Sequence, residues 1–473
     1  MFFRQYYLGC LSHASYLVGD TASGRAVVVD PQRDVGQYLA DAEAQGLRIV
    51  HVLETHFHAD FLSGHLELAQ RTGASIGYGR AAAGRAEFPI VTFADGDTID
   101  LGAGAGAGPG AGAGTVMLEI RETPGHTPES ISIVVWPQGR AGQPYGVLTG
   151  DTLFIGDVGR PDLLASVGVT ADELARMLYR SLHERLLALP DATLVYPAHG
   201  AGSACGKNLS TETVSTIGEQ RRTNYALASM SVEAFVEAVT QGQTVAPLYF
   251  PFAATLNRQA RALFDEANGV TRLSLEQVLD AQAAGAIVLD SRDDKSFAAG
   301  HLRGSVNVGF SGRFAEYAGE VMRPGTPIVL VTEPGQEDLA ATRLARIGFD
   351  AVRGALADPV ATFVAHPEVV EPLSRLSAAA LAERMRTVDD LVVIDVRNAG
   401  ELASGVIPGS RNISLPALLG RIGELDPAAP TVVHCAGGYR SAIAASLLRA
   451  HGFSDVSDLL GGYQAWAVAA GAV

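Results

Sequence analysis

Residues 48–62 read RIVHVLETHFHADFL, a β-branched apolar run that passes straight into a loop rich in histidine. The run has the length and composition of a buried strand. The loop Thr55-His56-Phe57-His58-Ala59-Asp60 places two imidazoles and a carboxylate at alternate positions, so a single peptide can direct all three at one point. Three more candidates lie downstream: His126 in ETPGHTPES, Asp151 in VLTGDTLF and His199 in VYPAHGAG. Each sits just past the end of a predicted strand. Strand ends of one sheet share an edge, and α/β folds carry their chemistry there. A single such histidine would read as a core or surface residue. Four placements of one kind point to a metal or catalytic cluster.

The sequence on either side has an α/β pattern. SYLVGD and RAVVVDP read as strands with Gly24 in the turn, VGQYLADAEAQG as an amphipathic helix ended by Gly46, and VMLEIRET, ISIVVW, YGVLTGD and TLVYPAH as further strands. Gly102 to Gly114 (GAGAGAGPGAGAG) reads as a flexible loop insertion without an assigned function. After His199 the pattern turns helical at TVSTIGEQRRTNYALA and VEAFVEAVTQG, and PLYFPFAATLNRQARALFDEA leads out of the first domain. The remainder repeats itself. IVLDSRDDKSFAAGHLRGSVNV aligns with VVIDVRNAGELASGVIPGSRNI, superposing Asp290 on Asp395, Arg292 on Arg397, Gly300 on Gly405, Gly304 on Gly409 and Asn307 on Asn412. HPEVVEP, with Pro367 and Pro372, reads as the linker between the copies. The expected domains are therefore 1–265, 270–365 and 373–473.

Composition narrows the function classes. The 473 residues include 35 basic and 51 acidic side chains, a net charge of −16, which argues against a nucleic-acid or anionic-membrane partner. With 47% apolar and 18% charged residues the chain is not disordered. No apolar run reaches membrane-spanning length, and MFFRQYYLGC does not read as a secretory leader. Cys10, Cys205 and Cys435 form no disulfide framework, so a reducing, cytoplasmic setting is expected. The composition leaves a homo-oligomer open.

The His-x-His-x-Asp loop, the Gly-His, the Thr-Gly-Asp and the Ala-His-Gly, in this order, resemble the metallo-β-lactamase fold, an αβ/βα sandwich with metals at one edge. Two-zinc hydrolases of the glyoxalase II type carry histidine after the loop aspartate, where this chain has Phe61. The departure favours one metal, and among one-metal members the chain resembles the persulfide dioxygenases. That resemblance implies one Fe(II) per chain held by His56, His126 and Asp151. Such a facial triad leaves adjacent positions open for a persulfide and O₂. His58, Asp60 and His199 are then expected to orient ligands or relay protons. Arg160, in GDVGRPDLL, is placed to clamp a substrate carboxylate. Cys205 reads as a buried hydrophobe by default and, in this setting, as a sulfur carrier beside the iron. Cys10 and His13 read as structural.

PTVVHCAGGYRSAIAASLLRAHG reads strand, loop, helix, with Cys435 opening the loop, Gly437, Gly438 and Tyr439 within it, Arg440 closing it and Ser441 as N-cap. Backbone N–H groups of this turn and the helix dipole stabilise an anionic thiolate or persulfide. The loop resembles the rhodanese family, as do Asp395-Val396-Arg397 and LLGGYQAW. Cysteine phosphatases have one residue more in the loop, to hold a phosphate. The first copy has Thr332 near the nucleophile position and Glu333, Glu337 and Asp338 around it, and is expected to be silent in sulfur transfer. The whole chain thus resembles a persulfide dioxygenase fused to tandem rhodanese modules. The resemblance implies oxidation of a low-molecular-weight persulfide by O₂ to sulfite, with sulfur exchange among persulfide, sulfite and thiosulfate at Cys435. The rival readings are a zinc thioester hydrolase of the glyoxalase II kind and a non-catalytic sulfur carrier with a structural metal.

Overall fold

The computed structural model describes residues 1–102, 115–140, 142–163, 168–207 and 209–471, so the Gly/Ala insertion from residue 103 onward lies outside the described residues. The chain forms two compact units, 1–243 with 250–266, and 267–473 with 244–249.

The first unit contains two six-stranded sheets among its described residues. One runs in chain order from Phe2–Leu8 through His13–Asp20, Arg25–Val29, Arg48–Leu53 and Ser75–Gly79 to Val91–Phe93. Its first strand, FFRQYYL, is an element the sequence reading did not anticipate. The other sheet orders its strands Ser215–Thr216, Leu194–Pro197, Gly146–Gly150, Ile131–Arg140, Met117–Glu122 and Thr98–Asp100. Alternation along the strands builds the layers. Tyr16, Val18, Val27, Val29 and Leu53 face Leu118, Ile120, Ile133, Val135 and Leu148 between the sheets. Leu17, Val28 and Val52 point the other way, onto Tyr38, Ala42 and Leu68, while Val134, Val147 and Val195 meet Leu178, Leu182 and Leu186. The result is an αβ/βα sandwich, and the loops after Leu53, Glu122, Gly150 and Pro197 meet along one edge, joined by Ile131 N–H to Thr55 O and Ala14 N–H to Ala198 O.

In the second unit each copy of the repeat is a parallel five-stranded sheet with the same spatial order: first, fifth, fourth, second, third. The copies share Arg292 paired with Asp290 and Arg397 with Asp395, each at 2.6 Å and buried. Asn307 and Asn412 bridge the same two carbonyls in their respective copies. The predicted linker is not free: Val370–Glu371 forms a short ladder with His301–Leu302.

PLYFPFAATLNRQARALFDEA also departs from expectation, because it returns to the metal loop. The Asn257 amide, 1% exposed, donates to His58 O and Phe61 O at 2.8 Å and accepts from Ser63 N–H at 2.9 Å. Arg261 binds Glu67 and Ser63 O beside it. Asn257→Ala leaves three buried backbone groups without partners and should cost about 2–4 kcal/mol. In a thermal melt of the full chain the first-unit transition should fall, while the second unit's stays in place.

Candidate metal centre and sulfur-transfer loop

Local hydrogen bonds set the tautomers of the two metal-facing imidazoles. Thr55 donates its hydroxyl to Asp30 Oδ2 at 2.9 Å, so its oxygen accepts from His56 Nδ1–H at 3.0 Å and leaves the Nε2 lone pair bare. His126 Nδ1–H donates to Arg160 O at 2.9 Å with the same effect. Gly125, before it, has φ +150°, and an added Cβ would lie 2.4 Å from Leu178 Cα, so only glycine fits there. His126 Nε2 and His56 Nε2 lie 3.5 Å and 4.0 Å from Asp151 Oδ2. His56 Nε2 and both Asp151 oxygens are buried without a hydrogen-bond partner. Burial, reinforced by His58 and His126, holds His56 well below the usual imidazole range, and it is therefore neutral. Two imidazoles and a carboxylate gathered around one point, their lone pairs unused, are a donor set for a divalent metal, and the residues fit one.

His58 turns away from this point. Its Nε2 lies 3.0 Å from Asp30 Oδ1 and 3.2 Å from Glu54 Oε2. Burial opposes charge on this ring, but the two carboxylates hold it well above the usual imidazole range. Asp60, His199 and Cys205 gather in a second group. His199 Nε2 is 3.1 Å from Asp60 Oδ2 and 3.4 Å from Asp151 Oδ1, and its Nδ1–H donates to Ser12 O. Burial pushes the Cys205 thiol well up, with Asp60 and Asp151 adding to it. Phe61 contributes no donor; its buried ring lies against His13 at 3.9 Å and His58 at 4.3 Å.

Arg160, expected to clamp a substrate, is buried and engaged with protein. Its guanidinium is bidentate to Asp162 at 2.8 and 2.7 Å and reaches Ala204 O, while its N–H donates to Cys205 O. The residue ties the loop after Asp151 to the loop bearing Cys205 and orients His126 through its own carbonyl.

In the second unit Cys435 follows strand Thr431–His434, and its Sγ accepts Gly438 N–H at 3.1 Å. Gly438 has φ +106°, which aims that N–H inward. The helix begins at Tyr439 with Gly438 as N-cap, which corrects two expectations. Arg440 lies within the helix rather than closing a loop, and Ser441 is in the first turn, its hydroxyl donating to Gly438 O at 2.9 Å. Arg440 is held bidentate by Glu401 at 2.7 and 2.6 Å.

Asp30, Glu54, Asp162 and Glu401 were missed from sequence. Asp30 ends a strand, as the metal-facing residues do, and Asp162 is two residues from the arginine it binds. Glu401 was available from the repeat itself, since the cysteine-free copy has Ser296 at the equivalent position.

The metallo-beta-lactamase superfamily model matches residues 8–199, and the rhodanese-like domain model matches 274–354 and 377–469. The mitochondrial persulfide dioxygenase ETHE1 of Bos taurus is 32% identical over 245 residues, 51% of this chain and 82% of that protein. This chain belongs to the metallo-beta-lactamase superfamily. The Homo sapiens persulfide dioxygenase ETHE1 is 31% identical over the same length. A solved metallo-beta-lactamase from Staphylococcus aureus subsp. aureus COL is similar at 30% identity and TM-score 0.66, covering 76% of this chain and 99% of that one. The second unit of this superfamily member is a pair of rhodanese-like domains, of which only the last has a cysteine.

His126→Ala leaves two donors at the point shared with His56 and Asp151. Metal content after dialysis, read by elemental analysis, should fall about tenfold or more, with the second-unit melting transition unchanged.

Proposed function

We propose that the chain oxidises a low-molecular-weight thiol persulfide with O₂ at the first unit and exchanges sulfane sulfur at Cys435 in the second. The observation that carries the first half is the two-imidazole, one-carboxylate donor set with unused lone pairs, together with Phe61 where a further donor would stand. The relatives' persulfide dioxygenase activity supports it. His56, His126 and Asp151 would hold one Fe(II), which when bound supplies the redox chemistry that joins O₂ to the outer sulfur. The balance is RSSH + O₂ + H₂O → RSH + H₂SO₃. His199, set between Asp60 and Asp151, is placed to hold a proton at Nε2 during this change. Asp30 and Glu54 hold His58, and with it the loop, in one arrangement. Arg160 and Asp162 keep the Cys205 loop against the metal side.

At the second unit the Cys435 thiolate attacks the outer sulfur of thiosulfate. The thiosulfate S–S bond breaks, sulfite leaves, and a cysteine persulfide forms that a thiol can then take. Gly438 N–H, directed at Sγ, stabilises charge there, and Arg440 draws the anion. Cys10, Cys205 and Cys435 form no disulfide, and the reading includes the reducing, cytoplasmic setting expected from the cysteine count. Among the described residues no helix is long and apolar enough to cross a membrane. A zinc thioester hydrolase is the second reading, favoured by the additional Asp60–His199–Cys205 group.

The two sites separate by mutation. Cys435→Ala should abolish thiosulfate-dependent sulfur transfer and leave persulfide-dependent O₂ uptake, followed with an oxygen electrode, within about twofold of wild type. Parallel loss of both in a folded variant, or thioester hydrolysis with no O₂ uptake, would sink the proposal.

A further inference from the structure

The cysteine-free copy buries acid where it meets the armed copy. Helix Phe314–Val321 reads FAEYAGEV, and Glu316 and Glu320 within it are 4% and 6% exposed. A carboxyl in such a place is costly unless a partner offsets it. Glu316 has one, the Arg313 guanidinium a turn earlier. Glu320 Oε2 is buried without a hydrogen-bond partner. The armed loop packs against this region. Tyr439 donates its hydroxyl to Gly309 O at 2.7 Å, and its ring lies 5.4 Å from that of Tyr317. Ser446 accepts Asn307 N–H at 2.9 Å from the helix that follows Cys435. Arg440, the residue after Tyr439, has Glu401 as its direct partner, and Glu320 lies three residues beyond Tyr317 on the helix that meets Tyr439.

We propose that Glu320, lent by the cysteine-free copy, is a positioning residue of the Cys435 site that acts through Arg440. While neutral, Glu320 leaves the guanidinium to Glu401 and to an anionic sulfur donor. Once ionised, it sets a second carboxylate against Arg440 and weakens the donor's hold. The inference rests on the reading of Cys435 as a sulfur carrier.

The charges that bear on Glu320 are few. Its own helix and cap contribute Arg313, Glu316 and Tyr317, and the armed helix contributes Arg440 and Tyr439. Helix Leu415–Arg421 buries only Leu415, Pro416, Leu418 and Leu419. Helix Glu337–Ala345 brings Arg343, which is bound to Phe310 O and lies 4.1 Å over the Phe310 ring, with Arg346 just beyond the helix. Burial pushes Glu320 up to about 8, Glu316 adds to the rise, and Arg313 and Arg440 oppose it. Glu320 is therefore neutral below that pH and anionic above it. Thiosulfate keeps its charge throughout this range, so a change in its binding reports on the protein.

The test is the burst of sulfite released by the full chain from thiosulfate before any acceptor is added, measured between pH 6.5 and 9.5. The thiosulfate concentration giving half the maximal burst rate should rise roughly three- to tenfold through pH 8 in wild type. It should stay flat in Glu320→Gln and in Glu320→Met, with the limiting burst rate at low pH little changed. The melting transition of the second unit serves as the folding control in each variant. A rise of the same size in wild type and both variants, a flat wild-type profile, or a loss in the variants that is equal at every pH would each overturn the role of Glu320. No sulfite burst from wild type would overturn the sulfur-carrier reading itself, and the inference with it.

Discussion

Asp151 has both carboxylate oxygens buried and neither one hydrogen-bonded. Taking a carboxylate out of water costs several kcal/mol unless a positive charge or hydrogen bonds offset it. The rest of the first unit is arranged around that requirement. Burial holds His56 neutral, and the second nitrogens of His56 and His126 are engaged by Thr55 and Arg160 O, so both rings turn a lone pair toward the carboxylate. Positive charge is kept one step away on His58, between Asp30 and Glu54, while Asp151 and Asp60 favour the charged form of His199, which faces Asp151 Oδ1. The oxygen left without a positive neighbour is Oδ2, which faces the lone pairs of His56 and His126, and the donor set there fits a metal ion.

The second unit solves the opposite problem. Its reactive group is an anion when it works, so the loop presents a backbone N–H and keeps a guanidinium at hand. Two copies of one fold show how little separates an armed site from an unarmed one. Both keep the internal Asp–Arg pair and the asparagine that bridges two carbonyls, which hold the sheet edge in shape. They differ at Thr332 against the armed cysteine, and at Ser296 against Glu401. The unarmed copy retains its fold and lends its surface to the armed one.

Much of this was legible in the sequence because strand ends are. A histidine or aspartate just past a β-branched run must lie at the sheet edge, and that rule alone brought His56, His126, Asp151 and His199 together. The repeat was legible because identical spacing forces identical turns. Residues whose role depends on what stands beside them were not legible. Arg160 has the chemistry of a substrate clamp, but Asp162 and Ala204 O already occupy its guanidinium. Ser441 has the composition of an N-cap, yet Gly438, with its left-handed backbone, starts the helix sooner. Glu320 sits on a helix whose acidic residues suggest a solvent face, and only the packing of one copy on the other buries it. Asn257 carried no signal at all, because an isolated asparagine in a helical segment reads as surface.

Asn257 gives the order of synthesis a part in metal capture. Three backbone groups of the metal loop, His58 O, Phe61 O and Ser63 N–H, find their partner only when a residue 199 positions after His58 has been made. At ordinary translation speeds that is a delay of roughly 10–40 s, during which the His-x-His-x-Asp peptide lacks these three bonds. A metal met in that interval is met by a loose peptide without the geometry that distinguishes one ion from another. Selection among metals therefore belongs to the finished first unit, and a chain that stalls before residue 257 carries its metal-facing histidines on a loop not yet fastened.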